Sequence, residues 1–139
     1  MIHARTRYDT PAQVCIVNDH CREVYSSYVS VDQPITDYRT HVSGITPRHL
    51  ANAPSLDHVR AEVAALLNGR ICVGHDLAHD LEALKLELDP AMVRDTARGL
   101  PRRLCTRSGR PKRLRDLAAH HLRLTIQACT HLLCALHPA

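Results

Sequence analysis

The stretch Val73-Gly74-His75-Asp76-Leu77-Ala78-His79-Asp80-Leu81 decides the reading of this chain. The segment before it, Arg70-Ile71-Cys72-Val73, is short and continuously apolar, as in a strand covered on both faces. The segment after it reads as a helix over residues 76–88, with Leu77, Leu81, Leu84 and Leu88 as its buried stripe. Pro90 closes that helix. Two histidines and two aspartates therefore fall on the first turns of a helix just past a strand end. Open α/β sheets place their chemistry at that position.

The flanking sequence supplies the rest of such a sheet. Gln13–Asn18 reads as a buried strand, residues 18–20 as a turn and residues 23–29 as a second strand rich in β-branched and aromatic side chains. Together they predict an antiparallel hairpin. Residues 37–40 form a loop after Pro34, and Thr46-Pro47 opens a short helix over Pro47–Leu50. Ser55 is the N-cap of a longer helix, whose apolar face is Leu56, Val59, Val63, Leu66 and Leu67. Gly69 stands where a helix C′ glycine is wanted. Met92-Val93-Arg94 is a weak strand, residues 98–110 a basic loop, and residues 111–122 a helix with Leu114, Leu117, Ala118 and His121 facing inward. The order predicts an α/β domain whose sheet mixes a hairpin with parallel strands.

Composition bounds the function. The chain has 139 residues, which suits one domain, and 45% of them are hydrophobic, enough for a core. No apolar run is long enough to span a bilayer, and no membrane partner is expected. The first residues contain no apolar segment of the secretory type. The six cysteines form no C-x-x-C pair, and reduced thiols in a nuclear or cytoplasmic protein are expected. The net charge of +4 is unevenly spread. Residues 94–115 carry nine Lys/Arg against Asp95 alone, whereas the remainder is acidic. A basic segment on an acidic body suits a phosphate-bearing partner, RNA or single-stranded DNA, with Arg102 and Arg103 as candidate contacts. It also suits a solvated loop or a nuclear-targeting patch over residues 109–113. Phe and Trp are absent, which argues against a base-stacking platform.

The His/Asp cluster has several readings. His75-Asp76-x-x-His79 resembles a zinc helix, but aspartate replaces the glutamate such sites use as base, and no third ligand has a recognisable spacing. His79-Asp80 matches the metal dipeptide of all-helical phosphohydrolases, which the N-terminal hairpin opposes. Asp80 alone suits one carboxylate of a two-metal phosphodiesterase centre. A purely structural role is open too, since a helix N-terminus favours aspartate.

The wider sequence selects among these. Asp37-Tyr38-Arg39-Thr40-His41-Val42-Ser43-Gly44-Ile45, the Val73–Leu81 stretch, Arg94-Asp95-Thr96, and Leu114-Arg115-Asp116-Leu117-Ala118 through Ile126-Gln127 together resemble the DEDDh 3′→5′ exonucleases. The subgroup is that of the interferon-stimulated exonuclease, the apoptosis-enhancing nuclease and the ribosome-processing RNA exonucleases. The resemblance covers residues 12–127, leaving 1–11 as an extension and 128–139 as a divergent tail. It implies a ribonuclease-H-like mixed sheet flanked by helices, lacking the first strand and the final helix. It also implies two Mg²⁺ or Mn²⁺ ions held by four acidic residues, with a histidine as general base. One metal then activates a water, the histidine takes its proton, and the second metal stabilises the leaving 3′-oxygen.

Carried over by residue, Asp80 is the metal ligand, Arg39 the arginine at the substrate sugar and His131 the general base. For Arg39 a loop salt bridge with Asp37 is the alternative. Asp76 lies near the site without being a ligand, and Asp95 belongs to a structural Asp-Thr pair. Three of the four family carboxylates have no counterpart in these residues. The D-x-E strand motif would fall before Met1, and the final motif reads His131-Leu132-Leu133-Cys134-Ala135-Leu136, with leucine in place of its aspartate. An exposed edge or a gap in the sheet, and impaired catalysis, are therefore expected. The alternative is a non-catalytic nucleic-acid- or protein-binding remnant using residues 94–115. The oligomeric state is not set by the sequence.

Overall fold

The computed structural model describes residues 2–4, 9–38, 40–98, 112–126 and 133–138. Its main sheet has five strands, and a smaller sheet of three lies apart from it. The small sheet joins β1 (Ile2–Ala4), β2 (Asp9–Thr10) and β5 (Ile35–Asp37), all antiparallel. The main sheet joins β3 (Gln13–Asn18), β4 (Glu23–Tyr28), β6 (Arg70–Gly74), β7 (Val93–Asp95) and β8 (Leu133–Pro138) in the order β4-β3-β8-β6-β7.

The expected hairpin is β3–β4. Its turn is held by Asn18, whose side-chain oxygen accepts from the backbone N–H groups of His20 and Arg22 at 3.0 and 2.9 Å. That local bonding is what asparagine supplies in a turn. The expected parallel pair is β6–β7. Between these two halves lies β8, parallel to β3 and antiparallel to β6. The expected gap is therefore filled, and by the residues that the sequence reading set aside as a tail. The unbroken run from Leu132 to Leu136 has the character of a strand flanked on both sides.

Helices cover the sheet. α1 (Thr40–Ser43) and α2 (Pro47–Leu50) are single turns, and α3 (Leu56–Leu67) is the longest. The Ser55 hydroxyl accepts from the His58 N–H at 3.3 Å, and Gly69 takes the left-handed φ of +67° beyond the C-cap. Val59, Val63 and Leu67 of α3 pack with Val14, Ile16 and Val29 of the hairpin region, Cys72 of β6, and Leu77 and Leu84. Tyr25 ties β4 to the same helix by donating its phenol proton to Glu62 at 2.7 Å, and burial together with that carboxylate pushes the phenol pKa up to about 12. A second cluster of Ala12, Ile45 and Leu50 packs with Tyr28 and Tyr38.

Four sequence expectations change. Residues 35–37 are a strand, because β1 supplies them an antiparallel partner. α4 (Leu77–Ala83) ends five residues before Leu88. Lys85 adopts φ +54°, the Leu86 N–H bonds to the Leu81 carbonyl, and the Lys85 N–H bonds to the Glu82 carbonyl. This is a Schellman close, formed with lysine where glycine is usual. The helix predicted over residues 111–122 is split into α5 (Leu114–Leu117) and a π-turn over Ala118–Leu122, ended by Arg123 at φ +54°. Only Leu117 and Ala118 are buried there, and Leu114 and His121 face solvent. Finally, Cys15 and Cys21 are free, but the buried Cys72 is disulfide-bonded rather than reduced. Its place inside the sheet gives it neighbours from both flanking strands.

Candidate nuclease site

The site is built at the junction of β6, α4 and β7. β6 ends at Gly74, which approaches α4 so closely that a Cβ there would stand 2.7 Å from Leu77 Cγ. The chain then turns through Asp76, at φ 60° and ψ 43°, before α4 starts. Asp76 sits at the N-cap, yet its side chain makes no capping bond. It accepts instead from His79 Nδ1 at 3.1 Å, on the surface.

The cap comes from another strand. Asp95, at the end of β7 and paired with Gly74, is 6% exposed at its side chain. Its Oδ1 accepts from the N–H groups of Asp76 and Ala97, both at 2.8 Å, and its Oδ2 accepts from Leu77 N–H at 3.0 Å. Arg98 Nε lies 3.8 Å from the same oxygen. A buried carboxylate that satisfies three amides is a strong structural acceptor. The Asp-Thr pair that the sequence marked as structural is therefore what fixes the turn in front of α4.

Asp80 lies on the first turn of the helix so held. Burial pushes its carboxyl pKa up to about 6, with the nearby carboxylates of Asp76 and Asp95 adding to the rise and His79 opposing it. Among the described residues no amide or side chain hydrogen-bonds to its carboxylate. A half-buried acid with few local partners is the kind of group that a cation or a substrate proton satisfies.

A cavity of about 390 Å³ opens beside this junction, walled by Leu77, Leu81, Leu88 and Val93, with Asp95 and Arg98 among its polar groups. Asp80 is not one of its walls.

Arg39, Arg102, Arg103 and His131 lie outside the described residues, so Asp80 is the one predicted site residue described here. The zinc reading finds no centre, since no group of three or more His, Cys, Asp or Glu suited to a metal occurs among the described residues. Both of the relevant imidazoles also engage protein groups, His75 with Thr96 and His79 with Asp76.

Residues 8–127 match the family model for exonucleases. This chain belongs to that exonuclease family. RNA exonuclease 4 of Aspergillus fumigatus is 48% identical over 120 residues, 86% of this chain and 38% of the relative. Human RNA exonuclease 4 is 44% identical over 120 residues, covering 86% of this chain and 28% of its own length. The chain spans less than half the length of these curated relatives. Among solved structures, the Neurospora crassa Pan2 catalytic unit superposes with a TM-score of 0.74 at 25% identity, covering 94% of this chain and 23% of that one. The mixed α/β sheet flanked by helices is thus the fold of these exonucleases.

Exonucleases of this family use divalent metal ions. The described donors do not fit such a centre by themselves. Asp95 spends its carboxylate on backbone amides and Asp76 pairs with His79, which leaves Asp80. One carboxylate cannot hold two divalent cations against their mutual repulsion.

Proposed function

We propose that this exonuclease domain engages the 3′ end of RNA or single-stranded DNA, and that Asp80 is its remaining metal-site carboxylate. Relatives across their matched regions are named RNA exonucleases, and the solved neighbours include a yeast Pan2 exonuclease module in complex with A7 RNA. The single observation that carries the reading is the placement of Asp80. It is half-buried, raised in pKa and set on a helix whose first turn a second strand fixes.

Hydrolysis of the two-metal 3′→5′ type is impaired in these 139 residues, because they supply one of four expected carboxylates. Arg39 at the sugar, His131 as base, and Arg102 and Arg103 on the phosphates complete the proposal. The basic stretch from residue 94 to 115 provides affinity whether or not hydrolysis proceeds, since phosphate contacts dominate binding to nucleic acid.

The test uses 5′-labelled single-stranded RNA with Mn²⁺ or Mg²⁺. Slow, metal-dependent shortening from the 3′ end that Asp80→Ala abolishes supports an impaired exonuclease. Salt-sensitive binding without shortening supports a non-catalytic binder. Rapid trimming that survives Asp80→Ala overturns the role of Asp80.

A further inference from the structure

His75 is the residue of this junction to which no role has been given. Its Nδ1 lies 2.9 Å from Thr96 Oγ1. The same hydroxyl lies 3.0 Å from the Gly74 carbonyl oxygen, and the Thr96 N–H also donates to that carbonyl, at 2.8 Å. A carbonyl only accepts, so the one hydroxyl proton of Thr96 goes to Gly74. The reverse assignment would set two lone pairs against each other at 3.0 Å. Toward His75, Thr96 is therefore an acceptor, and Nδ1 must carry the imidazole proton. The neutral ring then presents an unprotonated Nε2.

That nitrogen has no hydrogen-bond partner among the described residues, and no buried polar atom among them goes unsatisfied. The His75 side chain is only partly buried. The backbone on both sides of the ring is held, and Thr96 engages the ring itself. Asp95 fixes the amides of Asp76 and Leu77 directly after it, and Gly74 directly before it is paired in the sheet and bonded to Thr96. Asp95 at the end of β7 and Thr96 just after it therefore do different work. Asp95 fixes the backbone of the turn, and Thr96 fixes the tautomer of the side chain.

A held imidazole with an open lone pair recognises a hydroxyl donor. We propose that His75 Nε2 accepts a hydrogen bond from a terminal ribose hydroxyl of the bound strand, with Thr96 as its positioning residue. This rests on the reading of the domain as one that engages RNA 3′ ends.

Two measurements test it, both without metal. Imidazole ¹⁵N NMR of the free protein reads the tautomer. Binding is then compared for a short RNA with an ordinary 3′ end and one ending in a 2′,3′-dideoxy nucleotide. Wild type and Thr96→Ser should show a proton on Nδ1 and prefer the hydroxylated end. His75→Ala and Thr96→Val should bind that end roughly five- to tenfold more weakly, the loss of about one hydrogen bond, with the dideoxy end unchanged. The Thr96→Val result stands even if His75→Ala fails to fold. A proton on Nε2 in wild type, or equal losses on both RNAs, overturns the proposal. Wild-type protein that binds neither RNA refutes the RNA reading itself, whereas the tautomer of the free protein judges the Thr96 argument separately.

Discussion

Replacing Asp80 with asparagine should make the domain more stable at neutral pH and nearly leave it unchanged at pH 4. The native carboxyl titrates near 6, against 3.8 for an ordinary aspartate, chiefly because burial disfavours its charge. A raised native pKa means that the folded state holds its proton more tightly than the unfolded chain does. Stability linked to Asp80 is therefore complete below about pH 4 and is lost as pH rises through 6. The rise from 3.8 to about 6 corresponds to roughly 3 kcal/mol as an upper limit. The group keeps some contact with water, and screening reduces the figure to about 1–2 kcal/mol. Asparagine has nearly the same shape and no charge to desolvate. Thermal unfolding at pH 7.5 should then rise by roughly 3–8 °C, given the usual entropy of unfolding for a domain of this size. The assay is a matched pair of melts at pH 7.5 and pH 4. An equal change at both pH values, or a loss of stability at pH 7.5, would refute the claim that an ionised Asp80 strains the fold. A site held at a cost to stability is what a functional carboxylate requires.

Three further substitutions probe the scaffold of the junction. Asp95→Ala leaves the N–H groups of Asp76, Leu77 and Ala97 without their acceptor, and urea unfolding should show a loss of about 2–3 kcal/mol. Gly74→Ala drives a methyl group against the buried Leu77 side chain, and should cost about 1–3 kcal/mol by the same measurement. Lys85→Gly relieves a left-handed lysine at the close of α4 and should raise stability by about 1 kcal/mol, a gain that calorimetry resolves.

Local signals carried much of the fold. The β3–β4 hairpin was legible because β-branched runs flank an asparagine turn, and α3 because Ser55 and Gly69 mark its two ends. Asp80 was legible from its place after a strand and within an amphipathic run. The end of α4 was not, because the Schellman close places an ordinary lysine in a left-handed conformation and no residue type announces it. The three-residue strands β1 and β5 are too short to show an alternating period. β8 does show an apolar run, but its position between β3 and β6 depends on pairings more than fifty residues away in sequence. The role of Asp95 as a cap for α4, and the proton on His75 Nδ1, follow only from atoms brought together across two strands. Sequence spacing holds neither fact.

The account depends most on Asp80 being the carboxylate that meets a divalent ion. Mn²⁺ binding followed by electron paramagnetic resonance tests this directly on the wild-type chain and on Asp80→Ala. The expected result is weak binding of Mn²⁺ by wild type that Asp80→Ala removes, with both proteins still folded. Mn²⁺ binding of equal strength in the two proteins would contradict it.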